Sequence, residues 1–276
     1  MMERAARAIQ EAEVFIITAG AGMGVDSGLP DFRGDQGFWN AYPMYARLGL
    51  SFIDCANPEH FESNPAFGWG FYGHRTNLYR ETTPHDGFTI IKRWIERYHA
   101  DYFVITSNVD GQFQKAGYAD DRIVEVHGSI HHLQCSTPCC RMIWPNDEQI
   151  LVNPETMRAG TIPRCPYCRG VSRPNILMFG DWSWIADRTE AQRKGFREFQ
   201  GEKRGKRTVV IEMGAGKAIP TIRYTSEELG ESRLTTVIRI NPREAEIDAP
   251  HVSLEYGALG GVQQIDALLQ QTAPRY

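Results

Sequence analysis

Five closely spaced cysteines are the residues whose type and spacing point most directly to chemistry. They form two clusters on either side of residues 141–164, namely Cys135-Ser-Thr-Pro-Cys139-Cys140 and Cys165-Pro-Tyr-Cys168. Two such clusters can supply four thiolates to one tetrahedral zinc, a borderline-soft ion that favours sulfur. The first cluster offers Cys140 as an alternative to Cys139. We predict a structural Zn²⁺ site whose ligands are Cys135, Cys139, Cys165 and Cys168.

A disulfide framework is the competing interpretation of these cysteines. Such frameworks are typical of small secreted domains, whereas this chain has 276 residues, 6 cysteines and no basic-then-apolar leader segment. A cytoplasmic protein is therefore the expectation. Cys55 stands alone in a helical-looking stretch, and we interpret it as an ordinary buried thiol.

Three further motifs follow strand-like runs and carry groups that can contact a ligand. The first is the loop Ala19-Gly20-Ala21-Gly22-Met23-Gly24, whose small residues let the backbone approach phosphate oxygens. Because Val25 replaces the third glycine of the strict dinucleotide fingerprint, a ligand-free turn is an equal alternative for this loop alone. The other two motifs are Ser107-Asn108-Val109-Asp110 and His127-Gly128. An imidazole that titrates near neutral pH suits a general base.

Charge and hydropathy exclude two classes of partner. The net charge is −4, so the chain lacks the basic field that holds nucleic acid without sequence specificity. Apolar runs such as Val14-Phe15-Ile16-Ile17 are much shorter than the ~20 residues that cross a bilayer. We expect neither a direct nucleic-acid partner nor a membrane partner.

The elements that must position these motifs alternate between strands and helices. Strand-like runs occur at Val14 to Thr18, Tyr102 to Thr106, Asn175 to Phe179, Thr208 to Met213 and Thr236 to Ile240. This alternation predicts an α/β fold, a Rossmann-like parallel-sheet domain with a smaller zinc-binding and helical lobe. The expected sheet domain comprises residues 1–34, 86–133 and 173–276, and the lobe comprises residues 35–85 and 134–172. Ligands of such sheets bind outside the carboxyl ends of the strands.

Taken in order, the motifs resemble those of the sirtuins, the family of NAD-consuming protein lysine deacylases. The resemblance extends over nearly the whole chain. Besides the motifs above, it includes Pro30-Asp31-Phe32-Arg33, the segment from Arg173 to Asp181, Gly214-Ala215-Gly216 and Asn241-Pro242-Arg243.

The resemblance implies a reaction between NAD and an acyl-lysine protein or peptide that yields lysine, nicotinamide and an O-acyl-ADP-ribose. It makes His127 the general base and lets Asn108 and Asp110 hold the nicotinamide ribose region. The other implied NAD contacts are Gly20, Ala21, Gly22, Asp31, Phe32, Arg33, Ser107, Gly214, Ala215, Gly216 and Asn241. The implied peptide contacts are Ile176, Leu177 and Phe179, where the substrate would add as a strand.

One helical segment bears on the acyl group. Tyr72 and Arg75 resemble the Tyr-x-x-Arg signature of sirtuins that remove succinyl or malonyl groups, and residues three apart share a helix face. Arginine offers a planar donor fork that matches a carboxylate. The alternative is an aromatic-rich helix whose Tyr and Arg only cap a core.

Several positions depart from the family pattern. Ser107 replaces a usual glutamine, Gly24 replaces a usual serine, and Gln112-Phe113 replaces Leu-His. Gly214-Ala215-Gly216 replaces Gly-Thr-Ser, and Asp181 replaces glutamate. Because divergent relatives also include NAD glycohydrolases and protein ADP-ribosyltransferases, these activities are the alternative to deacylation. A non-catalytic NAD-sensing module is a third hypothesis.

Overall fold

The structure is a computed structural model that describes residues 1–30 and 34–271. Its helices are α1 (Met2–Glu11), α2 (Gly34–Ala41), α3 (Pro43–Arg47), α4 (Phe52–Cys55), α5 (His60–Ser63), α6 (Pro65–Glu81), α7 (Asp86–Arg97), α8 (Gln112–Lys115), α9 (Asp187–Glu202), α10 (Thr221–Gly230) and α11 (Ala258–Gln271). Its strands are β1 (Val14–Ala19), β2 (Asp101–Thr106), β3 (Ile123–Glu125), β4 (Gly128–Cys135), β5 (Trp144–Pro145), β6 (Val152–Asn153), β7 (Arg158–Ala159), β8 (Ser172–Ile176), β9 (Thr208–Met213), β10 (Thr235–Ile240) and β11 (Val252–Leu254).

Within the described residues, six strands form a parallel sheet in the order β3-β2-β1-β9-β10-β11. Every residue of β1 is buried, since the strand is central and covered on both faces, and this explains why its sequence is apolar except for Thr18. The order runs outward from β1 in both directions, so β1 and β9 flank the topological switch point of a doubly wound sheet. The predicted Rossmann-like α/β fold is confirmed.

Helices cover both faces of this sheet. On one face α1, α7 and α11 form a core with β1, in which Ile9, Trp94 and Ile265 pack with Phe15. On the other face Phe199 of α9 belongs to a second core cluster with strand residues that face away from the first. None of the helices in the described part of the chain combines the length and apolar character needed to span a membrane.

The run predicted as a strand at Asn175 to Phe179 is the one element that was placed wrongly. The strand is β8, which ends at Ile176 and pairs antiparallel with β4 in a separate three-stranded sheet, β5-β4-β8. The direction is reversed because the cysteine segment between β4 and β8 returns the chain beside β4. An apolar run alone does not encode strand direction.

The aromatic-rich segment before α7 forms the helices α2 to α6. Trp69 and Phe71 of α6 are fully buried in a third core, which also includes Ile130 of β4. Trp69 Nε1 donates a hydrogen bond to the Ser172 carbonyl oxygen at 2.8 Å. This bond fixes α6 against the start of β8, so both elements can contribute to one site.

Candidate active site

A cavity of about 660 Å³ opens at the carboxyl ends of the central parallel strands. Its size suits a cofactor or small-molecule site, which typically occupies roughly 300–1,000 Å³. The predicted site residues that line it are Gly20, Ala21, Tyr72, Arg75, Ser107, Asn108, Asp110, His127, Ile176, Leu177, Phe179, Gly214, Ala215 and Gly216. Gly22 and Asn241 lie beside the cavity wall without lining it, and Asp31, Phe32 and Arg33 lie outside the described residues.

Two glycine loops meet at the switch point, one after β1 and one after β9. The N–H of Gly22 donates to the Gly214 carbonyl oxygen at 3.0 Å. A Cβ at Gly214, whose φ is +64°, would lie 2.3 Å from the Gly22 carbonyl carbon and from the Met23 nitrogen. A Cβ at Gly20 would lie 2.8 Å from the Gly214 oxygen. The backbones are in direct contact, and only glycine permits this approach.

The segment after β2 is fixed to the first glycine loop. Asn108 Nδ2 donates to the Gly20 carbonyl oxygen at 3.0 Å, and the Asn108 N–H donates to Thr106 Oγ1 at 3.0 Å. The short Ser107 hydroxyl turns toward the Ala19 carbonyl oxygen at 3.5 Å. At the position where the sirtuin pattern has a long amide, this chain therefore has a hydroxyl directed at β1.

Asp110 is a nearly buried carboxyl group in the cavity wall. Its Oδ1 accepts a hydrogen bond from the Gln112 N–H at 3.0 Å. Burial raises the pKa of Asp110 to about 6, because desolvation disfavours the charged form, and the nearby Glu125 carboxylate acts in the same direction. Asp110 can therefore exchange a proton near neutral pH.

His127 follows β3 and is half-buried in the cavity wall. Burial is the main effect on the ring and lowers the pKa of His127 below its ordinary value of 6.5, while a hydrogen bond to the Ser107 backbone opposes the shift. The His127 carbonyl oxygen accepts from the Leu177 N–H at 2.9 Å. The imidazole is thus neutral at pH 7, the form that a general base requires.

Asn241 does not line the cavity but contacts residues that do. It is fully buried, and its Nδ2 donates to the Ala215 carbonyl oxygen at 2.9 Å. Its Oδ1 accepts from the N–H groups of Arg243 and Glu244 at 3.1 and 3.0 Å. Its described contacts thus hold the two loops that follow β9 and β10.

Tyr72 and Arg75 line the cavity from α6, and both are almost fully buried. Arg75 donates to Tyr79 Oη from Nε at 3.0 Å and from Nη2 at 2.8 Å. Its guanidinium carbon also lies 5.2–5.6 Å from the ring centres of Phe52, Phe71, Tyr72 and Tyr79. A buried cation stacked among aromatic rings makes this end of the cavity suitable for an anionic group.

The segment from Ile176 to Phe179 forms the opposite wall, with Leu177 and Phe179 more than one-third exposed. Its N–H groups already donate within the protein, that of Met178 to Asp181 Oδ2 at 3.2 Å and that of Phe179 to the Ala56 oxygen at 3.1 Å. A substrate strand added along this segment would therefore pair through carbonyl groups.

Sequence reasoning missed several residues of the cavity wall. They include Phe52, Tyr79, Lys217, Ile219 and Glu244. Tyr79 follows Arg75 by four residues in α6, so helical spacing could have identified it. The others lie on loops or on a short helix that only the tertiary structure brings to the cavity.

The cysteine clusters form a compact group well suited to zinc. The ligand atoms of Cys135, Cys139, Cys165 and Cys168 all lie within 4.8 Å of one another. The Cys135–Cys168 and Cys139–Cys165 sulfur distances are 3.6 and 3.7 Å. Tetrahedral zinc with Zn–S bonds of about 2.3 Å requires sulfur atoms about 3.8 Å apart. The four thiolates therefore fit a structural Zn²⁺ site, and the group includes Cys139, not Cys140.

The neighbouring cysteines and histidines behave as structural residues. All six cysteines are described, and each is a free thiol, which does not support the disulfide alternative. Cys55 is buried, as predicted. His131 and His132 stay out of the cysteine group, and His131 Nε2 bonds the Asp110 carbonyl oxygen at 2.9 Å.

Comparison with known proteins adds sequence relatives. The Sir2 family profile matches residues 20–194, well over half of the chain. An NAD-dependent protein deacylase of Thermococcus sibiricus is 30% identical over 184 residues, 66% of each chain. One of Aquifex aeolicus is 31% identical over 166 residues, 60% of this chain and 61% of the relative. The chain thus matches about three-fifths to two-thirds of the length of these curated relatives.

Solved structures share the fold over almost the full length. A Sir2 homologue in complex with NAD superimposes with a TM-score of 0.73 at 22% identity, covering 98% of this chain and 94% of that one. A Sir2 protein with a deacetylated p53 peptide and 3'-O-acetyl ADP-ribose gives 0.66 at 18% identity, covering 97% and 98%. Together with the profile match, this agreement shows that the chain belongs to the Sir2 family.

Proposed function

We propose that the protein is an NAD-dependent protein lysine deacylase that forms nicotinamide and an O-acyl-ADP-ribose. The observation that carries the proposal is the convergence of His127, Asn108 and Asp110 with both glycine loops on one cavity. The named activity of the sequence relatives supports it. NAD supplies the ribose carbon that the acyl oxygen attacks, and the residues of the cavity supply binding, orientation and proton transfer.

Each polar residue is proposed to act in a defined way. The glycine loops offer N–H groups to the pyrophosphate at the switch point, where doubly wound sheets bind dinucleotides. Asn108 and Asp110 hold the nicotinamide ribose. His127, neutral because burial lowers its pKa, accepts a proton from a ribose hydroxyl so that the oxygen can attack the acyl carbon.

We further propose that acidic acyl groups such as succinyl are accepted beside acetyl. Arg75 is buried in the cavity wall and presents its guanidinium beside Tyr72. A guanidinium can bind a carboxylate through two parallel hydrogen bonds. The free carboxylate of a succinyl-lysine would be the matching group.

The remaining expectations stay part of the proposal. The NAD-binding domain would comprise residues 1–34, 86–133 and 173–276, and the smaller lobe residues 35–85 and 134–172. Its support is that the six parallel strands lie in the first set and the zinc-type cysteines in the second. We expect a cytoplasmic enzyme that acts on acylated proteins.

The test is nicotinamide release from NAD by the purified protein, alone and with acetyl-lysine or succinyl-lysine peptides. Mass spectrometry of the same samples identifies the peptide products. Peptide-dependent release with loss of the acyl group is expected. Release without peptide would instead establish a glycohydrolase, a peptide mass gain of ADP-ribose would establish a transferase, and NAD binding without release would establish a sensing module.

The acyl preference has its own matched pair of variants on α6. Arg75→Met is expected to lower the ratio of desuccinylation to deacetylation about tenfold, because a hydrogen bond to a charged group contributes roughly 1.5–3 kcal/mol. Arg80→Met, five residues further on and outside the cavity lining, should leave that ratio unchanged. An unchanged ratio in Arg75→Met would remove the acidic-acyl proposal and leave the deacylase proposal intact.

A further inference from the structure

Arg223 of α10 is a buried arginine with an unusual set of acceptors. Its side chain is 6% exposed. Nη1 donates to the Glu244 carbonyl oxygen at 2.7 Å and to the Ala215 oxygen at 3.4 Å, and Nη2 donates to the Glu246 oxygen at 3.2 Å. Among the described residues, its hydrogen-bond acceptors are backbone carbonyls, and no carboxylate pairs with it.

The three carbonyls belong to two loops that form one end of the cavity. The loop after β9 supplies cavity-lining residues from Gly214 to Ile219, and the loop after β10 supplies Arg243 and Glu244. Arg223 spans both loops with a single guanidinium. A planar fork with five donors can hold three carbonyls of two separate loops in a fixed geometry, whereas the three donors of lysine all lie on one atom.

Burying a guanidinium is costly unless its donors are satisfied. Here the satisfied donors fix loops that lack regular secondary structure on the wall of the cavity. The hydrogen bonds that offset the cost of burying the guanidinium therefore also hold these loops in one conformation. A ligand would meet loops that are already in place. Pre-formed loops bind more tightly because less conformational entropy is lost on association.

We propose that Arg223 is a positioning residue that preorganises the loops after β9 and β10 for binding of NAD. This inference rests on the proposed function, since that function assigns NAD to the cavity. Arg223 does not line the cavity, so its effect is exerted through the loop backbone. The peptide end, formed by α6 and the segment after β8, should be unaffected.

The experiment compares Arg223→Met and Arg223→Lys with the unaltered full chain. Calorimetric titration with ADP-ribose is expected to show affinity about tenfold weaker for Arg223→Met, equivalent to about 1.4 kcal/mol. Arg223→Lys should be intermediate. In turnover assays the KM for NAD should rise by a similar factor, while kcat at saturating NAD and the KM for the acyl-peptide stay within about twofold.

Arg80→Met is the matched control. Arg80 also donates to carbonyls of a loop, to the Glu148 oxygen at 2.7 Å and to the Asn146 oxygen, but in the smaller lobe. It should lower the unfolding temperature without weakening ADP-ribose binding.

Unchanged ADP-ribose affinity in Arg223→Met would overturn the inference. The inference would also be overturned if Arg80→Met lost as much ADP-ribose affinity as Arg223→Met at a similar drop in unfolding temperature. The loss would then reflect general destabilisation. If Arg223→Met does not fold, the ADP-ribose affinity of Arg223→Lys is the test, and an affinity equal to that of the unaltered protein would overturn the inference. Failure of the proposed function is distinguishable, since the unaltered protein would then release no nicotinamide in response to an acyl-peptide, whatever its affinity for ADP-ribose.

Discussion

At the scale of single residues, the cavity gives two titratable side chains opposite pKa shifts from the same cause. Burial disfavours charge, so it lowers the pKa of His127 and raises that of Asp110 to about 6. The neutral imidazole is therefore retained at a lower pH than in water. A neutral imidazole in the cavity wall is the form of histidine that can accept a proton from a ribose hydroxyl.

We expect His127→Ala to reduce formation of O-acyl-ADP-ribose by roughly 10²–10⁴-fold, the usual contribution of a general base. Affinity for ADP-ribose should change little, since the fold is retained. His132→Ala, which removes a histidine of β4 outside the cavity lining, is the control. Product formation in His127→Ala at the unaltered rate would exclude His127 from the mechanism.

The pH dependence of deacylation should follow the same shift. Lowering the pH protonates His127 and stops it from acting as a base, so the rate falls on the acidic side. Because the pKa of His127 is lowered, the midpoint of this fall is expected below pH 6.5. A profile of kcat/KM against pH for the unaltered protein measures it, because that ratio reports the pKa values of the free enzyme, and a midpoint above pH 6.5 would contradict the assignment.

At the scale of elements, the contact between the two glycine loops determines the shape of the cavity wall that they form. Gly214 combines a positive φ with backbone atoms 2.3 Å from where its Cβ would lie. Gly205, in the turn before β9, also has a positive φ, at +84°, but nothing lies within 4 Å of its Cβ position. Substitutions at Gly205 and Gly214 can therefore distinguish the cost of a strained backbone from the cost of a steric clash.

Gly205→Ala is therefore expected to lower the free energy of unfolding by only ~1–2 kcal/mol, the cost of the left-handed conformation. Gly214→Ala adds a backbone clash and should cost about 3 kcal/mol or more, with loss of ADP-ribose binding. Urea unfolding and calorimetric titration of both variants measure this. Equal effects in the two variants would show that close approach has no role.

At the scale of the whole molecule, the zinc-type cysteine group lies at one end of a strand pair whose other end reaches the cavity. Cys135 is the last residue of β4 and pairs with Ser172, the first of β8. β4 begins directly after His127, and β8 leads into the cavity-lining segment that contains Leu177. The cysteine group therefore anchors the strand pair that carries both.

We expect Cys140→Ser to retain one zinc per chain and Cys139→Ser to lose most of it. Losing a structural metal is among the changes that cost more than about 4 kcal/mol, so the unfolding temperature of Cys139→Ser should fall by about 10 °C. Metal analysis and thermal unfolding measure both. If Cys139→Ser retained zinc and lost it only when Cys140 was also replaced, Cys140 would be a ligand.

Much of this protein was determined by the sequence alone. The four parallel strands at Val14, Tyr102, Thr208 and Thr236 were predicted because buried strands of a parallel sheet read as continuous apolar runs. The zinc-type cluster was predicted because a Cys-x-x-Cys spacing is a local property of the chain. Most of the predicted cavity residues came from the resemblance to the sirtuins, which rests on motifs at strand ends.

Only the tertiary structure decided the rest, since it depends on contacts between distant segments. The antiparallel direction of β8 follows from its pairing with β4, and the choice of Cys139 over Cys140 follows from the sulfur at Cys165. Asn241 and Arg223 donate hydrogen bonds to backbone carbonyls of loops. Every residue has a backbone carbonyl, so the sequence does not indicate which one a side chain will contact. Residue types and spacing therefore set the chemistry, whereas long-range packing set which groups converge.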